Sequence, residues 1–210
     1  LEEVYALAQH VPSPASSRDL KDFGITLPLL FGTQAAVDVA EIFKQTFEQR
    51  IASGTSGVPD ERARLLWIQN RIQFRNPVIE LLEQGFGASI VVDELNTINW
   101  DPIDPDDPWT DIAVRTIAIP LNGPIESRIR HLGKLARDYK IHGAVNPCHW
   151  GCRQGTGARG LIQEGVGAFG IPVLNLEVDC VDPRSFSDGQ VRTRLEAFLE
   201  MIENRPSPWS

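Results

Sequence analysis

The sequence predicts an α/β fold: an open, mostly parallel sheet of about four strands with helices on both faces. Three observations carry this. Short apolar runs of strand length occur at Arg64–Gln69, Ser89–Leu95, His142–Asn146 and Ile171–Val178. Segments with apolar residues at helical spacing lie between them, so strands and helices alternate. From His142 to Val178 the chain reads as strand, crossover helix, strand, a unit whose connection is almost always right-handed. Alternation of this kind gives the three-layer, Rossmann or flavodoxin-like arrangement, which binds ligands beyond the carboxyl ends of its strands.

Taken in order, Leu1–Gln9 can form a short helix and His10–Ser17 (HVPSPASS) reads as a linker. Leu27–Leu30 is apolar but too short to classify. A helix is expected from Thr33 or Gln34 to Arg50, with Ala36, Val39, Ala40, Phe43 and Phe47 on one face. Ser53–Pro59 is a loop and Arg64–Gln69 a strand. Pro77–Gln84 opens on proline, which suits a first helical position, and Gly85 and Gly87 close it before the Ser89–Leu95 strand. Asn99–Pro108 is rich in Pro and Asp and reads as a surface loop, while Asp111–Leu121 fits helix or strand. Ser127–Tyr139 is helical, then comes the His142–Asn146 strand. Thr156–Phe169 forms the crossover, and Ser187–Asn204 is an amphipathic helix presenting Val191, Leu195, Phe198, Leu199 and Ile202 inward.

The chain has 210 residues, 42% apolar and 23% charged, enough for one domain with a sizeable core. A net charge of −8 leaves no basic track for nucleic-acid phosphates. No apolar run approaches the ~20 residues that span a bilayer, and no signal peptide is visible, so no membrane partner is expected. Three cysteines argue against a disulfide framework and for a reducing, cytoplasmic setting.

Asn146–Arg184 concentrates the chemistry. It holds all three cysteines, with Cys148, His149 and Cys152 where one strand ends and Asp179-Cys180 where the next ends. Cys148 and Cys180 read first as small buried hydrophobes, with metal ligation the alternative. Cys152 differs: it sits between Gly151 and Arg153 at a helix start, where backbone N–H groups and arginine favour the metal-binding thiolate. His149 is a candidate acid–base residue or a hydrogen-bonded loop residue. Gly151–Gly160 (GCRQGTGARG), with Arg153 and Arg159 as cations, fits a phosphate cradle or close backbone approach, but matches no nucleotide-binding motif. Asp179, Asp182 and Arg184 read most simply as a turn that caps the following helix.

HWGCRQ (His149–Gln154), GIPVLNLEVDCVDPR (Gly170–Arg184) and QVRTRLEAFLE (Gln190–Glu200) together resemble the C-terminal part of the 2-hydroxyacyl-CoA dehydratase subunits. That group includes the related benzoyl-CoA reductase subunits. The resemblance extends over nearly the whole chain. It implies a [4Fe–4S] cluster held by three cysteines between two similar α/β domains, with this domain contributing one, matched by Cys152. Cys148 and Cys180 fall on no ligand position of the family and are the less favoured metal candidates. Gly151, Arg153 and Gln154 flank the matched cysteine and are the cofactor-binding candidates, with His149 the catalytic one.

The implied chemistry is radical. An ATP-dependent iron–sulfur activator protein delivers one electron through the cluster to the thioester carbonyl of a 2-hydroxyacyl-CoA, and the resulting ketyl radical expels the 2-hydroxyl. A second homologous subunit completes the complex, and FMN binding stays open. Family subunits are much longer, so residues 1–30 are expected as an arm or linker from an upstream domain and 31–210 as the C-terminal α/β domain. Such a fragment is expected to be inactive alone and to bind no stoichiometric cluster. The rival readings are aromatic ring reduction of benzoyl-CoA type, or an accessory subunit that has lost the cluster.

Overall fold

The computed structural model describes residues 1–69, 71–97 and 102–209. Helices α1 (Glu2–Leu7), α2 (Ser17–Leu30) and α3 (Gln34–Ser53) precede β1 (Ala63–Trp67). A short helix α4 (Val78–Glu80) runs on into a π-turn at Leu81–Gly85 and leads to β2 (Ala88–Asp93). Then come α5 (Pro108–Ala118), α6 (Ile125–Asp138) and β3 (Gly143–His149). The chain ends with α7 (Arg153–Thr156), α8 (Arg159–Gly167), β4 (Val173–Val178) and α9 (Asp188–Glu203).

Among the described residues the strands are all parallel, in the order β2-β1-β3-β4. The chain steps outward from β1 to β2 and then returns to the other side of β1. β1 and β3 therefore flank the point where strand order reverses, the place where open α/β sheets bind ligands. Side chains alternate along β1: Leu66 joins the core under α1, α2, α6 and α8, while Ala63, Leu65 and Trp67 join the one under α4 and α9. Helices thus cover both faces, as expected.

Several boundaries differ from the sequence reading. Leu27–Leu30 belongs to α2, whose start is fixed by a capping box: Ser16 Oγ accepts from the Asp19 N–H and Asp19 accepts from the Ser16 N–H. Asp111–Leu121 resolves as helix because Asp107 caps α5 and Pro108 opens it. The crossover divides into α7 and α8, separated at Gly157 and Ala158. Part of the Asn99–Pro108 loop lies outside the described residues.

Residues 1–30 pack into the main core through Val4, Tyr5, Ala8, Leu20, Phe23 and Leu27. Arg64, on β1 but 1% exposed, ties them down. Its guanidinium donates to the carbonyls of Ala8 (3.0 Å), His10 (3.1 Å) and Tyr139 (2.7 Å) and pairs with Glu61 at 2.7 Å. Buried polar groups need such complete satisfaction to be tolerated.

Candidate functional site

β3 ends at His149, and the chain turns through Trp150 and Gly151 to Cys152. Gly151 sits at φ +73°, a left-handed conformation that a side chain would strain, so glycine makes this tight turn possible. The Cys152 N–H donates to the His149 carbonyl at 3.1 Å. Cys152 Sγ accepts from the Gly155 N–H at 3.3 Å and so caps α7. The sulfur is thereby held at the carboxyl edge of β3, half-buried, beside an exposed Trp150 (51%).

Gly155 is needed for proximity. A Cβ there would stand 3.0 Å from Gln69 Oε1. Gln69, just past β1 and itself at φ +63°, donates from Nε2 to Asn146 Oδ1 (2.7 Å). Asn146 passes the chain to Asn175 (2.8 Å), and Asn175 to Gln163 (2.8 Å). This ladder of amides crosses β1, β3, β4 and α8 beneath the Cys152 turn.

A buried ion pair braces the same turn. Arg128 donates to Glu94 through Nε (2.6 Å) and Nη2 (2.8 Å), a bidentate geometry. Glu94 also accepts from the Gln69 N–H (3.1 Å), and Arg128 Nη1 reaches the Gln154 carbonyl (3.3 Å). One carboxylate and one guanidinium thus fix the carboxyl end of β1 against α7. None of these polar residues stands out in the sequence. Arg128 lies on a helix expected at Ser127–Tyr139, and Glu94 falls inside the strand expected at Ser89–Leu95, one residue past its observed end at Asp93.

The structure brings His149 to Asp179 and Cys180, since β3 and β4 end side by side. His149 Nδ1 accepts from the Cys180 N–H (2.9 Å) and lies 3.7 Å from Asp179 Oδ1. The neutral ring therefore carries its proton on Nε2. Asp179 accepts from the N–H groups of Val181 and Asp182, which hold its carboxyl below the usual range. Cys148 is fully buried and burial pushes its thiol up; burial also pushes Cys180 up to about 11. Arg159 pairs with Glu177 across α8 and β4 rather than facing the turn. Arg153 and Gln154 line an open depression of about 270 Å³ between α6 and α7. Among the described residues, no group of three or more His, Cys, Asp or Glu comes together as a metal-holding set. The donor set offers one accessible sulfur, that of Cys152, and not the ligands of a whole cluster.

A family profile described as "2-hydroxyglutaryl-CoA dehydratase, D-component" matches residues 1–202. The chain belongs to this dehydratase family. It is 25% identical over 204 residues to the (R)-phenyllactyl-CoA dehydratase alpha subunit of Clostridium sporogenes, covering 93% of this chain and 48% of that protein. It is 26% identical over 190 residues to a subunit of the benzoyl-CoA reductase of Thauera aromatica, covering 84% and 44% respectively. The chain thus spans about half the length of the curated relatives it matches. Membership of the dehydratase D-component family agrees with the resemblance carried by HWGCRQ and GIPVLNLEVDCVDPR.

Proposed function

We propose that this chain is the C-terminal α/β domain of a 2-hydroxyacyl-CoA dehydratase subunit and that Cys152 is its single ligand to a shared [4Fe–4S] cluster. The observation that carries the reading is the position of Cys152. It is the one cysteine with exposed surface, held at the strand-order reversal by Gly155, Gln69 and the Glu94–Arg128 pair. The remaining thiolates would come from outside these 210 residues. When bound, such a cluster supplies one-electron transfer to the acyl thioester. Around it, the Cys152 turn presents a fixed sulfur, and His149 offers an Nε2 proton to a substrate oxygen. Trp150 shields the approach from water once a partner domain closes over it. The proposed partners are a second homologous subunit, an ATP-dependent activator and an acyl-CoA, in the cytoplasm.

A second reading, ring reduction of an aromatic acyl-CoA, is favoured by the match to the benzoyl-CoA reductase of Thauera aromatica. The complete complex, supplied with activator, ATP and reductant, separates the two. Release of water from 2-hydroxyacyl-CoA thioesters, giving enoyl-CoA, is the expected result. Consumption of benzoyl-CoA with no dehydration would favour the second reading. Turnover of neither thioester by an iron-free complex would mark an accessory subunit.

A further inference from the structure

Beyond the carboxyl ends of β1 and β2, between α2 and residues 71–80, lies a cavity of about 460 Å³. That volume is within the ~300–1,000 Å³ typical of small-ligand sites. Its floor is apolar and fixed by the core: Trp67, Ile72, Val78 and Ile90 are all buried. Its rim carries Arg18, Lys21 and Arg75, all exposed. None of these three forms an ion pair among the described residues.

The buried acid of the cavity is already neutralised. Asp93 accepts from Arg71 Nη2 (2.9 Å) and from the Asn96 N–H (2.8 Å) and Nδ2 (2.6 Å). Asp22 and Glu80, both exposed, are the other carboxylates on the lining. The lining thus carries four cations, Arg71 included, against three carboxylates, a net positive site in a chain of net charge −8. Clustered cations beside a low-dielectric wall raise the local concentration of anions, and arginine forks match phosphate oxygens.

We propose that this cavity binds an organic phosphate of the adenosine phosphate class. Its phosphates would lie on Arg18, Lys21 and Arg75 and its flat body on the apolar floor. Trp67, Gln69 and Arg71 place the cavity and the Cys152 turn on opposite sides of the carboxyl end of β1. Two sources share this chemistry: a free adenine nucleotide, or the phosphoadenosine end of a CoA thioester. The second source rests on the dehydratase reading above.

The test is calorimetric titration of the intact protein with CoA, ADP and inorganic phosphate separately. The comparison set is native protein, the triple variant Arg18→Ala/Lys21→Ala/Arg75→Ala, each single variant, and the distant control Arg205→Ala. All the substituted residues are exposed, and circular dichroism confirms that each variant is folded. CoA and ADP are expected to bind native protein and Arg205→Ala alike. Both should weaken about tenfold or more in the triple variant, through loss of charge-assisted contacts. Inorganic phosphate, lacking a body for the floor, should bind far more weakly. If ADP binds in this way and CoA does not, the site stands and the acyl-CoA reading loses its support. If CoA binds with no dependence on the three cations, the acyl-CoA reading stands and the proposed site falls. Absence of binding by both CoA and ADP overturns the site as well.

Discussion

Glu94 and Arg128 meet through two hydrogen bonds in the interior, and each also holds a backbone group of the segments that build the site. Truncating one partner strands a buried charge, which costs about 3–5 kcal/mol. Arg128→Ala should therefore lower the urea unfolding free energy by that amount. Replacement of both residues by apolar ones of similar size should cost much less. Thiol reactivity separates the cysteines in turn. With its thiol pushed up to about 11 by burial, Cys180 stays protonated at pH 8, and it is shielded from reagent. Iodoacetamide at pH 8 should modify Cys152 first, with Cys148 and Cys180 protected until the protein unfolds, as read by peptide mass spectrometry. The sequence singled out Cys152 by its glycine and arginine neighbours. It could not show the brace behind it, because Glu94 and Arg128 are charged residues whose burial depends on each other across the chain. No local pattern marks a charged residue as buried when its partner is distant in sequence.

At the scale of elements, apolar periodicity located the four strands within a few residues, since strands covered on both faces read as continuous apolar runs. The N-terminal helices were harder, because α2 carries Pro28 and its capping box lies inside a stretch that reads as linker. Arg64 is the fastening of that region. Arg64→Ala should accelerate amide exchange across residues 2–30 more than across β4, as hydrogen–deuterium exchange would show. His142 supports the same junction: its Nδ1 accepts from the Arg64 N–H at 3.0 Å, which requires a neutral ring. Burial holds its pKa below 6.5, and the nearby Arg64 charge acts in the same direction; burial does the same for His131. The unfolded chain then binds protons that the folded chain refuses, so stability is complete above pH 6.5 and falls as pH drops toward the lowered folded values. The urea midpoint should be lower at pH 5 than at pH 7.5. His142→Gln should shrink that difference to the share belonging to His131.

For the whole molecule, the order β2-β1-β3-β4 brings the ends of β1 and β3 together, and with them Gln69 and the Cys152 turn. Alternation of elements made the parallel sheet legible, but strand order depends on how the faces pack and no local pattern records it. α5 buries none of its residues, and Trp109 and Ile117 are 80% and 72% exposed on it. No described helix is long and apolar enough to cross a membrane. On the proposed reading this domain contributes one thiolate, Cys152, to a cluster completed from elsewhere. Iron content per subunit tests it most directly, measured after anaerobic reconstitution with iron and sulfide in the intact complex. Cys152→Ser should abolish cluster iron, because serine replaces a soft thiolate poorly, whereas Cys148→Ser and Cys180→Ser should keep most of it. Equal loss in all three variants, or a full cluster on the 210-residue chain by itself, would contradict the account.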